Sequence, residues 1–359
     1  MSNKNKVGVI TIHDADNYGS DLQAYATQKA VENLGYESYI IDHVCKKISS
    51  EYGIKRILAQ KGIKSKLETV LRVLTLRNSR KMFIEFRKNN YRLIKEDFDQ
   101  EEFKKIIVGS DQVFNYKITG MDKAYFLDFV KDNDKKVAFS SSFGISKIPE
   151  DLKKEYSDCL NKFKHIAVRE KQAINIIKDL TGKEVPLVLD PTFLIPKNDW
   201  DAVCNMPYKE TGYIVCYQIA HSKTLVDFAE ELAKKTGKKI ISIQGSLRQR
   251  FNAKYIWNAG PAEYVGLIKN ADYVVTNSFH GTAFSINFNK KFFTELLPSF
   301  EKTNSRLESI LDLFGLRERQ IINGKNDNML AEINYEPVNK ILNDKRKESL
   351  EILKNFIED

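Results

Sequence analysis

Short β-branched runs alternate with longer stretches of helical periodicity twice along this chain, with a proline-marked interruption between the two series. In the first series, "KVGVITI" (6–12), "ESYIID" (37–42), "KKIIVGS" (104–110), "KKVAFSS" (135–141), "HIAVRE" (165–170) and "PLVLD" (186–190) read as strands, with helices over 20–34, 150–163 and 170–181. The pattern lapses around Pro191, Pro196 and Pro207. It resumes with "GYIVCYQI" (212–219), a helix over 222–236, "KKIISIQG" (238–245), a helix from Pro261 to Lys269, and "DYVVTN" (272–277). Near-continuous apolar strands suit parallel sheets buried on both faces. The alternation therefore predicts an α/β fold of two doubly wound domains. The boundaries expected are 1–195 for the first domain, 196–210 for a linker, 211–330 for the second, and 331–359 for a terminal helix packing back on the first.

The bulk numbers exclude several classes. Hydrophobic residues make up 42% and charged residues 29%, an ordinary globular balance. No apolar run reaches the roughly 18 residues of a membrane span, and "MSNKNKVGVITI" lacks the apolar core of a signal peptide. Cys45, Cys159, Cys204 and Cys216 show no metal-ligand spacing, so they read as reduced, mostly buried cytoplasmic thiols. No metal and no cofactor are expected. Net charge is +9, yet residues 46–96 hold 15 Lys and Arg against 4 Asp and Glu, a net +11. That segment, a basic helical insertion in the first domain, is either a solvated face or a peripheral membrane surface. Leu71, Val73, Leu74, Leu76, Met82, Phe83 and Phe86 would be its apolar side. It carries no nucleic-acid motif, and no nucleic-acid partner is expected.

Five stretches carry groups that could do chemistry. "HDADNYGSDLQAYA" (13–26) follows the first strand, where ligands of open α/β sheets bind. There Asn17, Gly19 and Ser20 suit a tight turn with Tyr18 and Asp21 positioned for a ligand; the alternative is a well-capped helix with Ser20 as its N-cap. "VGSDQVFN" (108–115) brings Asp111 to the same edge, as a ligand contact or a turn residue. Arg169, in "VREK", ends a strand; it either clamps an anion bidentately or pairs with a carboxylate. "TNSFHGTAFSINF" (276–288) crowds Asn277, Ser278, His280 and Thr282 into a strand-to-helix turn, with Gly281 permitting close backbone approach. That arrangement favours an anion site at a helix N-terminus. "KTNSRLESILDLFGL" (302–316) offers Lys302 and Arg306 around an expected N-cap at Asn304 or Ser305.

Taken in order, "NYGSDLQAYATQKAVENLGY", "IIVGSDQVFN", "VAFSSSFG", "AVREK", "LDPTFLI", "ADYVVTNSFHGTAFSINFNKKF" and "TNSRLESILDLFGL" resemble the polysaccharide pyruvyl transferase family. The resemblance implies two Rossmann-like domains facing a cleft, similar to GT-B glycosyltransferases. It also implies transfer of pyruvate from phosphoenolpyruvate to a sugar as a cyclic ketal, on a surface polysaccharide or its lipid-linked precursor at the inner membrane face. By that similarity the catalytic histidine falls on His280 and the phosphoenolpyruvate-clamping arginine on Arg169, with Ser278, Gly281 and Thr282 beside the donor. Some members carry an arginine where this chain has Ser278, so a second cation must come from Arg306, Lys302 or Arg248; Arg306 is preferred. Asn17, Tyr18, Asp21 and Asp111 are the residues expected to bind the acceptor. The competing reading is a GT-B glycosyltransferase using a nucleotide sugar, which would want a ribose-binding carboxylate in the second domain.

Overall fold

The computed structural model describes residues 5–48, 66–205, 210–243, 251–297 and 301–359, without the side chains of 66–77 and 301–303. The chain divides into two compact units. One comprises Met1–Gly53, Asn89–Ile195 and Asn343–Asp359; the other comprises Ile54–Lys88 and Pro196–Leu342.

The first unit is built on β1 (Lys6–Ile10), β2 (Glu37–Ile41), β3 (Leu93–Ile94), β4 (Phe103–Val108), β5 (Lys136–Ser141) and β6 (His165–Val168). Every pairing is parallel, in the order β3-β2-β1-β4-β5-β6. Val7, Val9, Ile106, Ile107 and Val137 are fully buried, as the unbroken apolar runs require. Helices α1 (Tyr18–Asn33), α3 (Tyr116–Thr119), α4 (Glu150–Leu160) and α5 (Lys171–Thr181) follow or separate these strands, whereas α2 (Lys66–Asn90), which lies between β2 and β3 in the chain, belongs up to Lys88 to the second unit and not to the first as expected. Phe114 stacks on Phe126 at 5.0 Å between centroids, with Phe143 and Tyr156 in the same cluster. Truncating one such buried ring to Ala costs about 3–5 kcal/mol.

The second unit repeats the plan. After α6 (Lys197–Val203), its strands are β7 (Ile214–Tyr217), β8 (Ile240–Ile243), β9 (Lys254–Ile256), β10 (Tyr273–Thr276), β11 (Lys291–Glu295) and β12 (Gln320–Ile321). They pair in parallel in the order β12-β11-β10-β7-β8-β9. Its helices are α7 (Lys223–Thr236), α8 (Pro261–Asn270), α9 (Phe279–Asn287), α10 (Glu301–Leu313) and α11 (Tyr335–Glu358). Leu225, Phe228, Ala229 and Leu232 of α7 pack on the sheet, with Phe228 5.0 Å from Phe293. The last part of α11 belongs to the first unit, where Ser349 Oγ accepts from Leu189 N at 3.0 Å and Phe356 stacks on His165 at 4.6 Å.

Two doubly wound α/β units are therefore present, as the alternation predicts. Several local expectations are corrected. "PLVLD" forms only an isolated bridge from Leu187 to Val168, because Asp190 turns the chain by capping Thr192 N. The N-cap of α1 is Asn17, not Ser20: Asn17 Oδ1 accepts from Ser20 N at 3.2 Å, while the Ser20 hydroxyl serves Asp111. Helix α10 starts at Glu301, which puts Asn304 inside it; Asn304 Nδ2 bonds Leu297 O. Within the basic segment expected to be helical, the chain from Lys66 to Asn90 is one helix. Within it Phe83 and Phe86 are buried core residues rather than an exposed apolar side. Among the described residues no helix is long and apolar enough to cross a membrane.

Candidate functional site at two strand-end edges

Each sheet reverses its winding once, between β1 and β4 in the first unit and between β7 and β10 in the second. Open α/β sheets bind ligands at the carboxyl ends of the strands flanking such a point.

The first edge is a closed polar network. Arg169 Nη1 donates to Ser110 Oγ at 2.8 Å and bonds Asp190, while Nη2 lies 3.5 Å from Asp111 Oδ1. Asp111 Oδ2 accepts from Ser20 Oγ at 2.7 Å, and Oδ1 from Gln112 N at 2.8 Å. The Arg169 side chain is 1% exposed and that of Asp111 13%. Burial pulls the guanidinium's pKa down, but Asp190, Asp111 and Glu170 outweigh it and raise it further. Asp111 adopts φ +75° and Ser140 φ +59°, left-handed conformations that cost non-glycine residues free energy and cluster at functional edges. Glu170 fastens the neighbouring loop, accepting from Ser142 Oγ, Phe143 N and Gly144 N at 2.8–2.9 Å.

Of the residues expected to bind an acceptor, Asn17 is spent as a cap, Tyr18 is 2% exposed, and Asp21 is fully buried with Tyr91 Oη 3.3 Å from its carboxylate. Asp111 reaches the edge. Arg169, expected as an anion clamp, already holds two carboxylates, so the alternative of carboxylate pairing describes its geometry. Ser110 and Asp190 were missed; the sequence signal for the latter is the Asp-Pro step that ends an apolar run.

The second edge is rich in hydroxyls. Ser278 caps α9 by accepting from Gly281 N at 3.3 Å, and Thr282 Oγ1 donates to Ser278 O at 3.1 Å. Thr282 and Thr294 hydroxyls meet at 3.1 Å. Gly281 is obligatory in this packing: a Cβ there would lie 2.6 Å from Thr276 Oγ1. His280 stands in the first turn of α9, 8% exposed. The turn thus gathers His280, Ser278, Gly281 and Thr282 at the positive end of a helix dipole. Arg306 of α10 lies with Cζ 5.8 Å from the Phe279 ring centroid, on the residue next to His280. The Lys302 side chain and Arg248 lie outside the described residues.

Around this turn the β7–α7 loop is stitched down. Asn277 Oδ1 accepts from Ile219 N and its Nδ2 donates to Ala220 O, both at 2.8 Å; Ser222 N donates to Gln218 Oε1 at 2.8 Å. Ser222 Oγ in turn donates to Glu295 Oε1 at 2.8 Å. Glu295 was missed, although a lone acid closing the apolar run "KKFFTE" is a visible signal. Among the described residues no cluster of three or more His, Cys, Asp or Glu could hold a metal ion.

The family model for polysaccharide pyruvyl transferase matches residues 17–294. No curated protein matches the sequence. Among solved structures, Medicago truncatula UGT71G1 complexed with UDP-glucose is 10% identical at a TM-score of 0.48, covering 100% of both chains. UDP-GlcNAc 2-epimerase of Methanocaldococcus jannaschii is 14% identical at 0.45, covering 99% of this chain and 100% of the other. The Neisseria meningitidis UDP-GlcNAc 2-epimerase is 12% identical at 0.44, covering 97% and 99%.

Proposed function

Because the chain belongs to the polysaccharide pyruvyl transferase family, we propose that it transfers pyruvate from phosphoenolpyruvate to two hydroxyls of a sugar, forming a cyclic ketal on a surface polysaccharide or its lipid-linked precursor. The observation that carries this reading is the α9 turn, where a histidine shares a helix N-terminus with the hydroxyls of Ser278 and Thr282. Phosphoenolpyruvate presents a carboxylate and a phosphate. Helix N-termini attract both, and Arg306 supplies a full positive charge one residue from His280. His280 acts as acid or base toward the phosphate end of the donor, a task suited to an imidazole near neutral pH.

Asp111 is the acceptor contact, taking a hydrogen bond from a sugar hydroxyl. Arg169 holds Asp111 rather than the donor, since its guanidinium is already engaged by Asp190 and Ser110. Phosphoenolpyruvate and a panel of UDP-sugars, tested by thermal shift, separate this reading from nucleotide-sugar transfer. That second reading is favoured by one observation, the buried carboxyl of Glu295 at the second edge. Stabilisation by UDP-sugars and none by phosphoenolpyruvate would overturn the proposal. The mass of a pyruvyl ketal on a synthetic glycoside would establish it.

A further inference from the structure

Ketal formation must deliver one proton to the methylene carbon of phosphoenolpyruvate and another to the departing phosphate. These atoms are at opposite ends of the enol phosphate, and His280 attends the phosphate end. A second acid would divide these two tasks, and the β7/β10 edge contains a carboxyl fit for it.

Glu295 closes β11 one residue beyond the Thr276–Thr294 register pair, beside Asn277. It is 6% exposed. Its Oε1 accepts from Ser222 Oγ at 2.8 Å, and its Oε2 is buried without a hydrogen-bond partner. Thr294 turns its hydroxyl toward α9 through Thr282. Strand alternation sends Glu295 to the other face, where Ser222 caps α7. His280 comes to the edge from α9. A planar enol phosphate lying on this edge would meet the imidazole from one side and the carboxyl from the other. Burial pushes the Glu295 carboxyl up from the usual range, against smaller downward pulls from Ser222 and Asn277, which favours the proton-bearing form. The other titratable groups around it are accounted for. The Cys216 thiol on β7 is itself pushed up to about 12, chiefly by burial. Lys223 on α7 pairs with Asp227, and His221 of the connecting loop is exposed.

We propose that Glu295 is a catalytic acid of this chain, giving its carboxyl proton to the methylene carbon of phosphoenolpyruvate; the proposal rests on the pyruvyl-transfer reading. The C2=C3 π pair takes that proton and becomes a C–H bond of the new methyl group. C2, now oxocarbenium-like, accepts an electron pair from a sugar hydroxyl, and that hydroxyl's proton restores the Glu295 carboxyl. The bond from C2 to the phosphate oxygen then breaks, and phosphate leaves with the pair. A second hydroxyl closes the ketal, its proton passing through His280 to phosphate. Two hydroxyl protons are lost; one ends on the methyl carbon and one on phosphate.

The experiment measures phosphate release from phosphoenolpyruvate with p-nitrophenyl glycosides of glucose, galactose, mannose and N-acetylglucosamine. Glu295→Gln, which keeps the shape and a partner for Ser222, should lower kcat by about 10²-fold with little change in KM for phosphoenolpyruvate. Wild-type kcat should decline as rising pH ionises the carboxyl, and the residual activity of E295Q should lack that decline. Ser222→Ala removes the hydrogen bond that holds the carboxyl but leaves the acid, and should retain most of the activity. If S222A loses as much as E295Q, Glu295 is a strut and the proposal falls. Near-normal turnover by E295Q removes the proton-donor role alone. Binding of phosphoenolpyruvate without phosphate release by the wild type, across the panel, would instead remove the pyruvyl-transfer reading beneath it.

Discussion

The two strand-end edges have the same topology and opposite electrostatics. At β1/β4 a buried guanidinium is answered by Asp190 and Asp111, and each carboxylate is further bonded by hydroxyl or backbone donors. At β7/β10 there is no comparable buried ion pair among the described residues; hydroxyls, a histidine and a lone carboxyl surround a helix N-terminus. The first edge satisfies its own charges and so has the character of a rigid frame. The second offers a helix N-terminus and titratable groups without such a pair, the character that the proposed anionic donor requires. On the proposed reading the first edge holds its acceptor contact in a fixed frame, and the second carries the proton chemistry.

The sharpest test of that contrast is His280→Ala, which should reduce kcat by about 10²- to 10⁴-fold while the melting temperature stays within about 3 °C, measured by phosphate release and calorimetry. Asp190→Ala should do the reverse in kind. Breaking a buried pair costs about 3–5 kcal/mol, read as a fall in the urea midpoint; lost turnover at unchanged stability would erase the distinction between the edges. Gly281→Ala forces a Cβ against Thr276 and should destabilise by about 1–3 kcal/mol, with a raised KM for phosphoenolpyruvate. Ser278→Ala removes the α9 cap at about 1 kcal/mol, again with weaker donor binding by calorimetric titration.

The smallest effect expected is a pH slope confined to the first unit. His43 lies between Glu96 and Asp122, at 2.6 and 2.9 Å. Burial pulls its pKa down, but the hydrogen bonds to Asp122 and Glu96 prevail and hold it above the ordinary value of about 6.5. The stability it contributes is complete below that unfolded-state value and is lost as pH rises through the higher folded one. Unfolding midpoints should therefore decline as pH rises above about 6.5, and His43→Gln should flatten the decline.

Strand and helix order was legible because apolar runs and helical periodicity are local signals; β1, β7, β10 and α8 fall within a few residues of their expected bounds. The inner strand β11 was not anticipated, nor were the edge strands β3, β9 and β12, which are two or three residues long and held by register with a neighbour rather than by their own composition. The same division runs through the site. His280, Ser278, Gly281 and Thr282 are contiguous, and the turn that unites them could be read directly. The Arg169–Asp190–Ser110–Asp111–Ser20 network joins residues up to 91 positions apart across a single pair, so spacing alone could not reveal that Arg169 is already engaged. Ser20 failed as a cap for the same reason: its hydroxyl is claimed by a residue far along the chain.

Glu170 stands at the N-cap of α5 yet makes no capping bond, because its carboxylate accepts from three donors in the loop after β5. An isolated helix of this length is marginal in water, and here the residue best placed to start it is occupied elsewhere. The segment 171–181 should therefore gain little helicity as a free peptide and acquire it only once β5 and β6 have paired. Folding of the first unit then waits on contacts distant in sequence, which slow the rate rather than weaken the product.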